Sequence, residues 1–351
     1  MASQSKTVLI TGGAGFVGSN VLAYFFRKYP DYHYVVLDAL TYAGDMRDIT
    51  EEIQKSRNFT FVKGDVRDKK VVDDLVAKAD YVIHFAAETH VARSIADGEI
   101  FFETNVLGTE RVATAVHRNR DKVERFIHFS TSEVYGTAES ELIDENHPLN
   151  PQSPYAASKT GADRLIYAYH MSYQIPSVII RSFNLFGPRQ HPEKVIPRFI
   201  TSRIIGEPLT VHGTGESQRD FTYVDDVARA IDLVLHASAE KVVGEVFNVG
   251  NGRGVSIKYI ANLVLKMVEP VNGAKGGVQV VSTSDRPGQV SRHAADFKKI
   301  KTALGWQPRT TFEDGMRLTV DWYKQNRSWW EDKLKMKQVP IELKKGRVEM
   351  Q

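Results

Sequence analysis

Two segments of this chain carry side chains that could together move protons on a bound substrate. The first, Ser130–Glu133, combines three hydroxyls with one carboxylate. The second carries the phenol of Tyr155 and the ammonium of Lys159, which share one face if the segment is helical because they lie at i and i+4. A phenol has a pKa of about 10 and acts as a base near neutrality only where positive charge favours its anion. Lys159 could supply that charge, so the pair predicts a general base.

The first segment follows an apolar run that predicts where its side chains lie. Residues Arg125–Phe129 have the composition of a short buried strand. The hydroxyls of Thr131 and Ser132 and the carboxylate of Glu133 would then emerge at the carboxyl end of that strand. Ligands bind at this end of the strands in open parallel sheets. Catalysis by such groups needs a cofactor, and the start of the chain supplies a candidate site.

A glycine-rich turn follows the first predicted strand. The strand Thr7–Thr11 runs directly into GGAGFVG and then into a helical pattern. The glycine spacing allows a tight turn and a close approach of the backbone to a pyrophosphate, which the helix N-terminus then faces with unpaired N–H groups. The predicted phosphate-binding residues are Gly12, Gly15, Phe16, Val17 and Gly18.

The next strands end in residues suited to the rest of a dinucleotide. The strand Tyr34–Leu37 ends at Asp38, about twenty residues beyond the last glycine, where an acid binds the adenosine ribose and repels a 2′-phosphate. NAD is therefore predicted rather than NADP. Asp65 could bind the adenine amino group or cap the following helix, and the sequence leaves both open. The remaining predicted cofactor contacts at strand ends are Val66, Ala86 and Ala87.

The alternation of strands and helices predicts an α/β fold of Rossmann type, with a doubly wound parallel sheet. A strand is expected at 81–87 and a helix at 100–116. From about residue 185 the pattern changes to loops, short strands and amphipathic helices, which predicts a smaller, interleaved α/β lobe. We expect an NAD-binding domain at 1–184, a substrate-binding lobe at 185–333 with some segments returning to the main sheet, and a charged tail at 334–351.

Composition argues against several other classes of protein. The 46 basic and 43 acidic residues leave a net charge of +3, too balanced for a nucleic-acid-binding chain. No apolar run approaches the roughly twenty residues of a membrane span, and the chain has no cysteine for disulfides or thiolate metal sites. His84, His90 and His191 show no metal-ligand spacing, so no metal is expected. These observations predict a soluble, cytoplasmic enzyme.

Several longer sequence segments between about Thr7 and Tyr323 resemble those of a known family. They are TGGAGFVGSN, LDALTYAG, HFAAETHV, SEVYG, PYAASK, PEKVIPRF, RDFTYVDD and DRPG. On these phrases the chain resembles the extended short-chain dehydrogenase/reductase family. Within it, the chain is most similar to the nucleotide-sugar 4,6-dehydratases, above all the dTDP-glucose type.

Two positions depart from the dTDP-glucose pattern. Those enzymes typically carry Thr-Asp-Glu where this chain has Thr131, Ser132 and Glu133, and an Asp where it has Ala92. The Thr-Ser-Glu form is similar to that of GDP-mannose 4,6-dehydratases and of UDP-glucuronate decarboxylases. The sequence therefore leaves open which sugar is bound and which residue protonates the leaving group.

The resemblance implies a redox-neutral reaction. Tyr155, assisted by Lys159, takes the proton from the 4-hydroxyl of the sugar while carbon 4 gives a hydride to NAD, and Thr131 orients the 4-oxygen. Glu133 then removes the proton from carbon 5, water leaves from carbon 6, and the hydride returns to carbon 6. The Asp commonly assigned as the acid is Ser132 here, so Glu133 is expected to pass its proton to the departing hydroxide.

The resemblance also implies which residues contact cofactor and substrate. Tyr155 and Lys159 contact the cofactor as well as serving catalysis. Arg219 and Arg286 are expected to clamp the diphosphate, a task that suits the forked guanidinium, and Arg292 is expected at the diphosphate or a sugar substituent. The other expected substrate contacts are Glu88, Thr89, His90, Thr131, Asn184, Lys194, Val195 and Asn251.

Other functions and assemblies stay open at this point. A UDP-glucuronate decarboxylase uses the same 4-keto intermediate, although the usual decarboxylase loop does not resemble 190–194. A 4-epimerase does not require Glu133, and a cofactor-binding sensor would not need the intact Tyr155 and Lys159. The resemblance implies a homodimer formed through paired helices around 100–116 and 155–172.

Overall fold

The computed structural model describes residues 5–269, 280–283, 292–336, 340–343 and 347–350. The strands are β1 (Thr7–Thr11), β2 (His33–Asp38), β3 (Phe59–Lys63), β4 (Tyr81–His84), β5 (Arg125–Thr131), β6 (Ser177–Ser182), β7 (Asn184–Phe186), β8 (Leu209–His212), β9 (Gln218–Tyr223), β10 (Val246–Val249), β11 (Gly254–Ser256), β12 (Val280–Thr283), β13 (Arg292–His293), β14 (Pro340–Leu343) and β15 (Arg347–Met350). The α-helices are α1 (Phe16–Lys28), α2 (Glu51–Gln54), α3 (Lys69–Val76), α4 (Val91–Ala96), α5 (Glu99–Phe102), α6 (Thr109–Arg118), α7 (Pro154–Tyr173), α8 (Val195–Ile205), α9 (Val224–His236), α10 (Ala239–Val242), α11 (Ile257–Met267), α12 (Lys298–Leu304), α13 (Phe312–Gln325) and α14 (Arg327–Glu331).

Seven parallel strands form the central sheet, in the order β10-β6-β5-β4-β1-β2-β3. The order reverses direction at β1, with β2 and β3 on one side of it and the later strands on the other. Such a reversal brings the carboxyl ends of β1 and β4 together around an open crevice. The doubly wound parallel sheet predicted from the sequence is therefore confirmed.

The apolar runs of the strands are explained by helices on both faces of the sheet. Successive residues of a strand point to opposite faces. Accordingly, Ile10 packs with residues of α1 and α9 on one face, whereas Leu9 packs with residues of α3 and α6 on the other. Both residues are almost fully buried, and strands covered on both faces need such continuous apolar stretches.

A second apolar core lies outside the sheet and supports the other lobe. It joins Phe199 of α8, Leu209 of β8, Ile260 of α11 and Tyr323 of α13. In this lobe β9 pairs with β7 and β13 in parallel and with β11 in antiparallel orientation, while β8 pairs with β12. The strand β10 lies beyond residue 185 but pairs with β6 in the central sheet. The chain thus crosses between the two cores more than once.

Two elements differ from the sequence-based expectations. The strand expected at 81–87 ends at His84, and the following residues form the wall of a cavity. The helix expected at 100–116 is interrupted by a wider, π-helical turn at Glu103–Gly108. This turn directs Asn105 inward, where its Nδ2 donates to the Oγ of Ser158 at 2.9 Å. Such turns are frequent at functional sites. None of the helices in the described segments combines the length and apolarity that a membrane crossing needs.

Candidate active site

A cavity of about 670 Å³ lies at the carboxyl ends of the central strands. It is lined by Gly12 after β1, Asp38 at the end of β2, Ala86 after β4 and Thr131 at the end of β5. It then continues into the second lobe, where Arg219 of β9 lines its wall. The cavity therefore joins the dinucleotide end of the sheet to the second lobe in one continuous space.

The glycine turn forms one end of this cavity. Gly12 has a φ of +71°, and a Cβ at this position would lie 2.6 Å from the backbone nitrogen of Ala86. Only glycine fits such a conformation and such a close approach. Helix α1 begins at Phe16, and its N-cap Gly15 offers no side-chain hydrogen bond. The open helix N-terminus fits a pyrophosphate. All five predicted phosphate-binding residues line the cavity: Gly12, Gly15, Phe16, Val17 and Gly18.

Asp38 is fixed beside the glycine turn by two backbone amides. Its Oδ2 accepts a hydrogen bond from Ala14 at 2.9 Å, and its Oδ1 accepts one from Leu40 at 2.8 Å. Burial raises the pKa of Asp38, and the two amides oppose that shift because they stabilise the carboxylate. The carboxyl oxygens keep lone pairs that a ribose hydroxyl can reach.

The structure resolves the two roles considered for Asp65. The N-cap of α3 is Asp68, whose side chain accepts from the amides of Lys70 and Val71. Asp65 instead forms an ion pair with Arg67 at 2.8 Å, which helps to lower the pKa of this carboxyl. It lines the cavity, as do the other predicted strand-end contacts Val66, Ala86 and Ala87. The capping alternative is therefore wrong, and Asp65 stays a candidate for the adenine.

The groups with catalytic potential converge on one wall of the cavity. Thr131 ends β5, and its Oγ1 accepts from the backbone amide of Glu133 at 3.2 Å, which starts a short 3₁₀ turn. Helix α7 begins with Ser153 as N-cap and a proline at the next position, a combination that favours a helix start. The first turns of α7 then carry the phenol and ammonium predicted from the sequence. The cavity lining includes Thr131, Ser132, Glu133, Tyr155 and Lys159.

Two groups act on the ammonium of Lys159, a backbone carbonyl and a carboxylate. Its Nζ donates to the carbonyl oxygen of Phe129 at 2.8 Å. Burial lowers the pKa of Lys159 to about 8, and the carboxylate of Asp163, one turn later on α7, opposes that shift. Asp163 is itself fixed by Arg181, whose Nε and one terminal nitrogen each lie 2.9 Å from its oxygens, and by Ser130 at 2.9 Å. The ammonium therefore has a defined place and a nearby counter-charge.

In the protein without a bound cofactor, the side chain of Tyr155 is a neutral phenol. Burial raises the pKa of Tyr155, a hydrogen bond with Thr131 lowers it, and the negative charge of Glu133 raises it further. The hydrogen-bonding partner that favours the phenolate is thus Thr131, while the ammonium of Lys159 is directed to a backbone carbonyl. A cationic ligand ring beside Tyr155 would favour the anion further.

The predicted sugar-binding residues lie farther along the same cavity. The backbone of Glu88 is clamped by the side chain of Asn105, with hydrogen bonds of 2.8 and 3.0 Å. Burial raises the pKa of Glu88. Lys194 donates to the carbonyl oxygen of Thr89 at 3.1 Å, which ties the start of α8 to the strand ends. The lining includes Glu88, Thr89, His90, Asn184, Lys194 and Val195.

Reasoning from the sequence missed Glu193. Its side chain is only 2% exposed and lies 3.4 Å from Nε2 of His90, 3.6 Å from Nδ1 of His191 and 3.3 Å from Nζ of Lys194. Burial lowers the pKa of His191 to about 3, so that ring is neutral. Oε2 of Glu193 accepts no hydrogen bond from the described residues. In the sequence, only the position of Glu193 between the basic residues His191 and Lys194 could have indicated that it belongs to the site.

The structure describes the three arginines expected at the diphosphate and the predicted substrate contact Asn251 to different extents. Arg219 lines the cavity; burial lowers the pKa of its guanidinium, and the charge of Glu133 opposes that shift. Asn251 is not among the lining residues; its backbone amide donates to the buried Asp220 at 2.7 Å. Arg286 lies outside the described residues. Arg292 is described by its backbone, which pairs with Gln218.

His293 is a second residue without a role in the sequence-based prediction. It is fully buried, with Nδ1 at 3.5 Å from the Oγ of Ser132 and Nε2 against the carbonyl oxygen of Gly136. Ser132 and His293 are 161 positions apart, and no local pattern relates them. The contact depends on β13 pairing with β9.

Comparisons with known proteins agree with this geometry. The sequence matches the family model for GDP-mannose 4,6 dehydratase over residues 9–319. The low-salt glycan biosynthesis protein Agl12 of Haloferax volcanii is 45% identical over 316 residues, which cover 90% of this chain and 98% of that protein. A dTDP-glucose 4,6-dehydratase of Streptomyces niveus is 41% identical over 328 residues, covering 92% and 94%.

A solved structure of a dehydratase is also similar to this chain. The crystal structure of DesIV, a dTDP-glucose 4,6-dehydratase of Streptomyces venezuelae with NAD and TYD bound, matches with a TM-score of 0.86 at 38% identity. The match covers 93% of this chain and 99% of that one. The chain belongs to the GDP-mannose 4,6-dehydratase family, within the extended short-chain dehydrogenase/reductases.

Proposed function

We propose that this protein is an NAD-dependent nucleotide-sugar 4,6-dehydratase, a hydro-lyase that converts an NDP-hexose into the NDP-4-keto-6-deoxyhexose. The observation that carries the proposal is the presence of Glu133 in the same cavity as Tyr155, Lys159 and Thr131. The last three suffice for an oxidation at carbon 4. A carboxylate beside them supplies the additional base that elimination requires.

The glycine turn and the strand ends hold the cofactor in this proposal. Gly12, Gly15 and Gly18 admit the pyrophosphate, Asp38 binds the adenosine ribose, and Asp65 binds the adenine. NAD, when bound, accepts a hydride from carbon 4 of the sugar and returns it to carbon 6. The carboxylate of Asp38 would repel a 2′-phosphate, which favours NAD over its 2′-phosphorylated form.

The first step is proton removal at the 4-hydroxyl by Tyr155. Thr131 hydrogen-bonds the phenol and orients the 4-oxygen, and Lys159 adds positive charge one helical turn later. This arrangement favours the phenolate only weakly by itself, because burial raises the pKa of Tyr155. The positive charge of the nicotinamide in bound NAD would lower the pKa of Tyr155 and so help the phenol to act as the base.

The second step is elimination, and Glu133 performs both of its proton transfers. The ketone at carbon 4 acidifies the hydrogen on carbon 5, which Glu133 removes. The carbon–oxygen bond at carbon 6 then breaks, and the proton on Glu133 passes to the departing hydroxide to give water. The carboxyl group thus acts first as base and then as acid, a double role that positioned carboxyl groups perform in other enzymes.

The substrate extends from this wall into the second lobe. Arg219, Arg286 and Arg292 are proposed to neutralise the diphosphate. The hexose and its link to the nucleotide are proposed to contact Glu88, His90, Asn184, Lys194 and Val195, which all line the cavity. We accordingly propose that residues 1–184 serve NAD binding and residues 185–333 serve nucleotide-sugar binding.

The proposal includes a homodimer and a cytoplasmic location. Large apolar side chains are exposed on α5, on the π-helical turn that follows it and on α7. They are Phe102 (45%), Leu107 (53%), Tyr167 (43%), Met171 (62%) and Tyr173 (47%). Several large apolar side chains exposed on neighbouring helices are typical of a subunit interface. Sedimentation of the purified protein tests the dimer, and fractionation of the source cells tests the location.

One experiment tests the function. The protein is incubated with NAD and, separately, with dTDP-glucose, GDP-mannose, UDP-N-acetylglucosamine and UDP-glucuronate, and the product masses are measured. Loss of water from one hexose supports the proposal. Loss of carbon dioxide from UDP-glucuronate supports a decarboxylase instead, and an epimer of unchanged mass supports an epimerase. Absence of turnover on every substrate contradicts a dehydratase of this substrate range.

A further inference from the structure

His293 lies directly behind the active-site serine. Its ring is fully buried, with Nδ1 at 3.5 Å from the Oγ of Ser132 and Nε2 in contact with the carbonyl oxygen of Gly136. Ser132 is also buried but lines the cavity, next to Glu133. The imidazole therefore connects a fixed backbone carbonyl to the hydroxyl of a residue that lines the cavity.

Both anchors of the histidine are rigid. Gly136 has a φ of +68°, and a Cβ added there would lie 1.9 Å from the carbonyl oxygen of Asn150, so the turn that presents its carbonyl has little freedom. His293 itself belongs to β13 and pairs with Arg219 of β9. The ring of Phe183 lies 5.9 Å from the imidazole, centroid to centroid.

These contacts determine the tautomer of the imidazole. A carbonyl oxygen only accepts hydrogen bonds, so Nε2 must carry the hydrogen. Burial lowers the pKa of His293, although the charge of Glu133 opposes that shift, and the ring is neutral. A neutral imidazole with hydrogen on Nε2 has an acceptor at Nδ1. The hydroxyl hydrogen of Ser132 is therefore directed away from the cavity, to His293.

We propose that His293 is a positioning residue that keeps Ser132 a hydrogen-bond acceptor toward the substrate, so that Glu133 alone protonates the departing hydroxide. This inference rests on the proposed dehydratase function and deepens it. Ser132 lines the cavity, so in this proposal its oxygen accepts the hydrogen of the sugar 6-hydroxyl and holds that group beside Glu133.

The elimination step balances without a proton from serine. Glu133 takes the proton from carbon 5, and the electrons of that bond form the double bond between carbons 5 and 6. The bond from carbon 6 to oxygen breaks with both electrons on oxygen. The proton on Glu133 joins that hydroxide, which leaves as water and restores the carboxylate. Carbon 5 later gains a solvent proton when the hydride returns to carbon 6.

The test compares His293→Gln with His293→Asn. Glutamine can keep the donor to Gly136 but places no acceptor at the Nδ1 position, whereas asparagine can place its amide oxygen there. Single-turnover mixing with NAD and the active sugar nucleotide separates oxidation at carbon 4, seen as reduced-cofactor absorbance, from water loss, seen by product mass. We expect His293→Gln to slow water loss severalfold relative to oxidation, and by no more than Ser132→Ala does, because it acts only through the orientation of that hydroxyl. We expect His293→Asn to restore water loss substantially.

Substitution of the serine provides a second line of evidence, first alone and then combined with the histidine variant. In Ser132→Ala, water loss is expected to fall by less than about tenfold, whereas loss of a general acid costs about 100-fold or more. In the Ser132→Ala background, His293→Gln is expected to add no further slowing, because the group it orients is gone.

Two results would overturn the proposal. One is a loss of water elimination in Ser132→Ala as large as that in Glu133→Gln, which would make serine the proton donor. The other is equal slowing of oxidation and water loss in His293→Gln, additive with Ser132→Ala, which would make the histidine structural. Failure of the wild-type protein to dehydrate any sugar would instead contradict the function itself, so the two failures are distinguishable.

Discussion

The Nζ of Lys159 donates a hydrogen bond to the carbonyl oxygen of Phe129 at 2.8 Å. This bond ties helix α7 to the end of β5, two residues before Thr131. Because Tyr155 lies one turn earlier on the same helix, its phenol is held beside the Thr131 hydroxyl. The redox groups and the strand-end carboxylate therefore form one preorganised unit, and substitutions in it are expected to affect separate steps.

Substitution of Tyr155 by phenylalanine is expected to remove the first step. The ring keeps its volume in the buried site but loses the group that accepts the 4-hydroxyl proton. Oxidation at carbon 4 is expected to slow by about 100-fold or more, while NAD affinity stays within a few-fold of wild type. Stopped-flow absorbance of the reduced cofactor measures the rate, and fluorescence titration measures the affinity. Oxidation at the wild-type rate would show that another group is the base.

Substitution of Glu133 by glutamine is expected to separate oxidation from elimination. The amide cannot take the proton from carbon 5, but Tyr155, Lys159 and Thr131 are retained. We expect reduced cofactor to accumulate and the sugar to remain a 4-keto hexose that has not lost water. Product masses after a single turnover check this result. Normal water loss in this variant would refute the assignment of Glu133.

The pH dependence of oxidation reports on Lys159. Burial lowers the pKa of this lysine to about 8 and Asp163 raises it, so its positive charge is present below that pH and lost as the pH rises through it. We expect kcat/KM to fall on the alkaline side. In Asp163→Asn the opposing carboxylate is gone, and the fall is expected to begin at lower pH. An alkaline limb at the same pH in both proteins would assign it to another group.

The glycine turn offers a matched pair of substitutions. Gly12 and Gly206 both have positive φ, +71° and +82°, but a Cβ at Gly12 would strike the backbone of Ala86 whereas one at Gly206 meets nothing within 4 Å. Both substitutions to alanine carry a backbone cost of about 1 kcal/mol. Only Gly12→Ala is expected to weaken NAD binding, by about tenfold or more. Calorimetric titration measures both, and equal affinities would remove the turn from the cofactor site.

Some of this site could be predicted from the sequence because its residues are close along the chain. Tyr155 and Lys159 are one helical turn apart, and Glu133 follows directly from a strand with a clear apolar pattern. The contact between Ser132 and His293 spans 161 positions, and the burial of Glu193 depends on α8 packing at the cavity. Neither follows from local periodicity.

Among the secondary-structure elements, too, some could be predicted from the sequence and others could not. The parallel sheet was predictable because continuous apolar strands alternate with helices. The π-helical turn at Glu103–Gly108 was not, because the apolar pattern over 100–116 predicts a helix without specifying the hydrogen-bonding pattern of each turn. The role of Asp65 could be narrowed only when Asp68 was seen to cap α3.

The central claim is that one cavity moves hydrogen from carbon 4 to carbon 6 while removing water. The most direct test uses the sugar nucleotide that the protein converts, prepared with deuterium at carbon 4. The product is expected to be lighter by one water and to carry the deuterium at carbon 6, as located by mass spectrometry and NMR. Deuterium that remains at carbon 4, in a product of unchanged mass or in a product that has lost carbon dioxide, would contradict this hydrogen transfer.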